Sequence, residues 1–235
     1  MSFLSNCKYY FSSDNINIIT LLYDTSGSME DHCSKMRAGL KAFKKDFEKF
    51  EERGAIAISR GNFDSSFEMT PFREVANFNT NYYTGGSTHL YYAISKAVDL
   101  TVMYYNELVR RLNTRPRITF LVFTDGEDTG SPGWGMSDAI NAIAQLNELD
   151  ATTVFVAFDR AIDRKDGETL GFNCIKNVEN ANDLIECLGE DLSKSCQAQS
   201  RSAISLGSQF FSKAAAQSGG NTASAGNDDD DFFGW

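Results

Sequence analysis

Residues 23–31, YDTSGSMED, put one carboxylate and two hydroxyls at alternate positions, Asp24, Ser26 and Ser28, directly after an apolar run. Alternate side chains of an extended or turning segment point the same way, and Gly27 permits a tight backbone path between them, so the three can share one centre. Two more oxygens arrive from distant segments: Thr88, in the loop YYTGGSTH, and Asp125, in FTDGED. Every donor is an oxygen and the hydroxyls are small, which suits a hard divalent ion in octahedral geometry, Mg²⁺ first, rather than zinc or iron. Taken alone, DTSGSM would serve equally well as a helix start, because Asp and Ser both accept hydrogen bonds from free backbone N–H groups. The joint arrival of Thr88 and Asp125 favours the cage. If one or both carboxylates act through water, the cation stays electrophilic and can recruit an outside carboxylate.

The surrounding elements decide whether these segments can meet. Residues 16–23 form a β-branched apolar run without strict alternation, as expected of a strand buried on both faces; RITFLVFT and TTVFVAF repeat the pattern. Met36, Leu40, Phe43, Phe47 and Phe50 recur at helical spacing, with Arg53 and Gly54 closing that helix. AIAIS at 55–59 predicts a short strand, and the aromatics up to Phe78, broken by Asp64, Ser65, Ser66 and Pro71, predict a hairpin or an edge strand. Leu90, Ile94, Val98, Val102, Tyr105, Val109 and Leu112 mark a helix of about six turns, bounded by Pro116. Met136, Ile140, Ile143 and Leu146 mark another, FNCIKNV an outermost sixth strand, and Leu184, Leu188 and Leu192 a last helix. Strands alternating with amphipathic helices predict an α/β fold, Rossmann-like and doubly wound, with a mostly parallel sheet covered by helices on both faces. In such a sheet the carboxyl ends of the strands share one edge, where ligand crevices form.

The bulk composition narrows the function classes. A net charge of −10 over 235 residues disfavours nucleic acid and anionic membrane as partners. The basic residues of KAFKKDFEKFEER alternate with acids, as on a solvated helix face. Five cysteines, Cys7, Cys33, Cys174, Cys187 and Cys196, include no CxxC pair and fit packed thiols of a reducing, cytoplasmic compartment. Residues 1–14 read as an extension, 15–196 as the folded domain, and 197–235 as a disordered Ser/Ala/Gly-rich tail whose end has too little apolar material to offset ordering entropy.

DTSGSM at 24–29, TGGSTHLYYAI at 84–94 and FTDGED at 123–128 together resemble the three parts of the metal-ion-dependent adhesion site of von Willebrand factor type A domains. The resemblance covers roughly residues 15–192. It implies a six-stranded sheet with one antiparallel edge strand and a bound Mg²⁺ or Mn²⁺. It further implies that Ser26, Ser28 and Thr88 ligate directly while Asp24 and Asp125 ligate directly or through water. Many members place the threonine immediately after the glycine pair; here Ser87 intervenes, so Ser87 or Thr88 is the ligand.

The resulting expectation is a metal-dependent protein-binding module, not an enzyme, that engages an Asp or Glu of a partner protein, with loops 61–83 and 128–136 adding selectivity. Two alternatives stand beside it. A hydrolase would use His89 or His32 as general base. A phosphoaspartyl phosphatase would need an aspartate where Ser26 stands, and TGGST lacks the Gly-Lys-Ser/Thr ending of a phosphate loop. Glu127 and Asp128 read as solvated rim residues. A scaffold would instead recruit partners through the tail: Phe232, Phe233 and Trp235 fill a pocket while Asp228, Asp229, Asp230 and Asp231 meet basic groups. That ending resembles the acidic, aromatic tails of single-stranded DNA-binding proteins, and its aspartates could also reach the metal edge of their own chain.

Overall fold

Nine consecutive residues, INIITLLYD, are buried along their whole length, and they form the central strand β1, Ile16–Asp24. A computed structural model describes residues 16–48, 55–126, 128–158, 164–179 and 183–184. The expected extension, the tail with its docking residues, Phe50, Glu127, Leu188 and Leu192 lie outside the described residues. After β1 come α1 (Cys33–Glu48), β2 (Ala55–Phe63), β3 (Phe67–Met69), α2 (Leu90–Leu112), β4 (Arg117–Thr124), α3 (Met136–Glu148), β5 (Thr152–Phe158), α4 (Arg164–Thr169) and β6 (Cys174–Val178).

The six strands lie in the order β3-β2-β1-β4-β5-β6, parallel throughout except that β3 returns antiparallel along β2 at one edge. Both the sixth strand and the antiparallel edge thus agree with expectation. The strand expected at 55–59 runs four residues further, to Phe63, because β1 pairs it along its whole length and β3 pairs Gly61, Asn62 and Phe63 from the other side.

Successive residues of a strand face opposite sides, so β1 feeds two cores. Ile16, Ile18 and Leu22 pack with Leu90, Ile94 and Val98 of α2 and Ile143 and Leu146 of α3. Ile19, Leu21 and Tyr23 pack with Met36, Leu40, Phe43 and Phe47 of α1. Each such buried side chain contributes about 1.5–3 kcal/mol of transfer free energy, so both helical layers are fixed by the strand that also carries Asp24. Inside the first core, Thr20 Oγ1 and Thr101 Oγ1 satisfy each other at 2.8 Å, which locks the height of α2 along β1.

The helix stripes hold with one shift of phase. In α3 the buried residues are Ala139, Ile143 and Leu146, while Met136, the first residue of the helix, is 37% exposed. Helix α2 ends at Leu112 with Asn113 in the left-handed region (φ 53°), ahead of Pro116. Chain direction reverses its side of the sheet at β1: α1 crosses on one face to β2, and α2 crosses on the other to β4. The crevice between the ends of β1 and β4 is therefore the topological switch point of the sheet.

Candidate metal centre

Parallel register sets Tyr23 beside Phe123, so Asp24 and Thr124 emerge side by side at the carboxyl edge. Asp24 is fully buried there. Its Oδ1 accepts the Ser26 backbone N–H at 2.8 Å, and its Oδ2 accepts the Thr124 hydroxyl at 2.6 Å. Its main-chain carbonyl accepts the hydroxyl of Tyr82. Burial pushes the Asp24 carboxyl up from near 3.8 to about 6; the Ser26 and Thr124 hydrogen bonds oppose the rise, and the Asp125 charge adds to it.

A 3-10 turn, Gly27–His32, follows. It swings Ser28 back, so that Ser26 Oγ and Ser28 Oγ stand 3.0 Å apart and the Ser28 hydroxyl donates to Asp125 Oδ1 at 2.8 Å. Ser26 is buried and Ser28 exposed, so the row climbs from core to solvent. Gly27 N–H donates to Gly86 O at 3.1 Å and Gly85 N–H to Thr25 O at 2.7 Å, which laces the 84–88 loop to the end of β1. Gly86 has φ +82°, and a Cβ there would meet Ser65 Oγ at 2.7 Å, so the close approach needs glycine.

Thr88, 4% exposed, is the loop residue that reaches the row. A Cβ added to Gly126 would lie 3.8 Å from Thr88 Oγ1 and 4.0 Å from Ser28 Oγ, so both hydroxyls border the same glycine. Ser87 is exposed, with Oγ 3.3 Å from His89 Nε2. The structure thus brings Asp24, Ser26, Ser28, Thr88 and Asp125 to one edge. His32 is 5% exposed, its ring packs 5.0 Å from Phe158, and Nδ1 lies 3.4 Å from Lys35 Nζ.

Asp128 departs from the solvated role expected of it. Half-buried, it accepts the N–H groups of Tyr91 (3.2 Å), Gly130 (2.9 Å) and Ser131 (2.9 Å) and the Ser131 hydroxyl. Burial pushes its carboxyl up, but the bonds from Ser131, Tyr91 and Gly130 outweigh that and hold it below the ordinary range. It caps α2 and folds the 128–131 turn at once. Three further residues escaped the sequence reading: Thr124, Tyr82 and Arg60. Thr124 directly precedes Asp125, and its β-branched hydroxyl at a strand end was the available signal. Arg60 is 6% exposed; it donates to Asn62 Oδ1 (2.8 Å), Asn79 O (3.1 Å) and Asn81 O, and it stacks 5.3 Å over the Tyr23 ring. No carboxylate pairs with it among the described residues. Its task is to hold the segment that carries Tyr82, and no local sequence pattern announces that.

The donor set fits a hard cation. A buried carboxylate whose proton affinity is raised by desolvation gains most from a positive charge, and the hydroxyl row supplies the remaining oxygens. Among the described residues no three of His, Cys, Asp and Glu gather in one metal-binding group, so a softer ion has no comparable site there.

No family model matches the sequence, and no curated protein matches it. Solved structures do. The pilus adhesin SpaC of Lactobacillus rhamnosus GG superposes with a TM-score of 0.60 at 12% identity, over 81% of this chain and 31% of that one. The chain therefore spans about a third of the adhesin's length. The vWF domain of the type V pili tip protein Mfa5 from Porphyromonas gingivalis gives 0.56 at 10% identity, covering 78% of this chain and 95% of that one. The manganese-loaded TRAP protein of Plasmodium vivax gives 0.50 at 14% identity, covering 74% and 72%. Identities this low speak for architecture alone. On the strand order, the one antiparallel edge strand and these superpositions, the chain has a von Willebrand factor type A-like fold.

Proposed function

We propose that the chain is a non-enzymatic protein-binding module whose sheet edge holds Mg²⁺, or Mn²⁺, through Asp24, Ser26, Ser28, Thr88 and Asp125, and which thereby engages an Asp or Glu of a partner protein. The observation that carries this reading is the continuous row from Asp24 through Ser26 and Ser28 to Asp125, with Thr88 alongside. Asp24, engaged on both oxygens, orients Ser26 and would act on the ion directly or through water, as would Asp125, while Ser26, Ser28 and Thr88 would offer hydroxyl oxygens. The ion supplies an electrophilic point for a carboxylate from outside. The fold shared with a pilus adhesin and with a protein crystallised with manganese supports both halves of the reading.

His32 speaks against a hydrolase, since its ring lies in the packing against Phe158 and away from solvent. His89, half-buried beside Ser87, would then have to serve alone. Titration of magnesium and of manganese into the full chain should raise its melting temperature and release or absorb heat. Asp24→Ala should abolish both responses while leaving the circular dichroism unchanged. Partner capture from the native host that is equal with magnesium and with chelator would refute the proposal.

A further inference from the structure

Beside the oxygen row lies a cavity of about 180 Å³, bounded by Leu90, Gly126, Met136, Phe155, Leu170 and the carboxylates of Asp128 and Asp166. Its inner walls, Leu90, Phe155 and Leu170, are 3%, 1% and 1% exposed, whereas Gly126, Asp128 and Asp166 are half-buried and Met136 is exposed. The cavity therefore has an apolar floor and an acidic mouth. Gly126 is the wall it shares with the metal position, because the same residue borders Thr88 Oγ1 and Ser28 Oγ. A space of about 150 Å³ lined by aliphatic and aromatic groups holds a benzene molecule, so this one accommodates a single leucine- or phenylalanine-sized side chain.

We infer that the cavity receives the apolar side chain next to the partner's metal-seeking carboxylate, so that the module recognises an acidic–apolar–basic segment. This rests on the metal reading above. The floor excludes a lysine entering head first, since its ammonium would be stripped of water against Leu90 and Phe155. The mouth selects the neighbouring charge. A divalent cation offsets Asp24 and Asp125, while Asp128, held ionised by its four donors, and Asp166, in the first turn of α4, leave the described rim negative. A lysine or arginine of the partner complements that rim. The thioether of Met136 at the opening can adjust to different apolar shapes.

The test uses the full chain and fluorescein-labelled, end-blocked peptides Gly-Asp-Leu-Lys-Gly and Gly-Lys-Leu-Asp-Gly, followed by anisotropy with magnesium and with chelator. With magnesium, at least one order of residues should bind, about tenfold more tightly than the same peptide with glycine for leucine, and more tightly than the one with glutamate for lysine. Met136→Trp, which fills the mouth from an exposed position, should erase the leucine preference while the magnesium-induced rise in melting temperature persists. Metal-dependent binding that is indifferent to leucine and lysine would overturn the cavity assignment and leave the metal reading intact. A leucine preference that survives in chelator would keep the cavity and overturn the metal reading. Failure of every peptide to bind overturns the inference, as does tighter binding by a peptide of residues 227–235, which would assign the cavity to the chain's own C-terminal segment.

Discussion

The two loops that flank the candidate site are held by different means. The loop after β1, residues 24–28, makes most of its bonds to other segments: Thr25 N–H and hydroxyl both donate to Phe63 O at 2.7 and 2.9 Å, Gly27 donates to Gly86, and Thr124 and Tyr82 donate to Asp24. The loop after β4 is gathered by one of its own side chains, Asp128, which accepts from Gly130, Ser131 and Tyr91, and it is tied to the start of α2 by Thr129, which exchanges hydrogen bonds with Thr88, and by Ser131, whose hydroxyl accepts the Tyr92 N–H. The first loop is therefore part of the core and moves only if the strands move. The second carries its own fastening but is also tied to Thr88 through Thr129, so it moves together with the start of α2 and the Thr88 hydroxyl.

Four perturbations sharpen this contrast. The largest effect should follow from the buried charge of Asp24. Its carboxyl binds a proton more readily in the folded chain than in the unfolded one, so stability without metal is full below about pH 4 and falls as pH rises through about 6. The loss is on the order of 3 kcal/mol. Urea midpoints across that window in chelator, with Asp24→Asn as the flat reference, measure it; added magnesium should remove the decline. A pH-independent difference between the two proteins would mean that Asp24 is not desolvated. Next, Thr124→Val leaves Asp24 Oδ2 without its donor and should cost about 2 kcal/mol at neutral pH, with a smaller loss in the Asp24→Asn background, where the acceptor is an uncharged amide oxygen. Asp128→Ala should cost about 1 kcal/mol and speed hydrogen exchange at Gly130 and Ser131 but not at Ser26. Finally, Ser28→Ala, at an exposed position, should change stability by less than about 0.5 kcal/mol while weakening magnesium binding by at least about tenfold. Calorimetry that finds wild-type affinity in Ser28→Ala would remove that hydroxyl from the site.

The same contrast explains what could be read in advance. Strands β1, β4 and β5 were legible because burial on both faces demands continuous apolar runs, and α1 and α2 because their stripes keep helical phase over many turns. The convergence of the five candidate oxygens was legible because three of them share a short segment and the other two fall at a helix start and a strand end. The supports were not. Tyr82 meets Asp24 across fifty-eight positions of chain and Arg60 acts on carbonyls, which carry no side-chain signature. Asp128 was misjudged because an acidic run looks solvated until the N–H groups it caps are known. Met136 fell in phase with an apolar stripe, but as the first residue of α3 it lines the cavity opening and stays 37% exposed.

Arg60 has a consequence for how this chain can vary. A guanidinium fork that grips the carbonyls of Asn79 and Asn81 from strand β2 works as a ruler: it meters the span of polypeptide between the hairpin and the tyrosine beneath the oxygen row. Insertions there would be felt at the ligand edge as a change of reach. Insertions after Ser131 would lie beyond the bonds that tie Thr129 to Thr88 and Ser131 to Tyr92, so new recognition surface has more room to grow there.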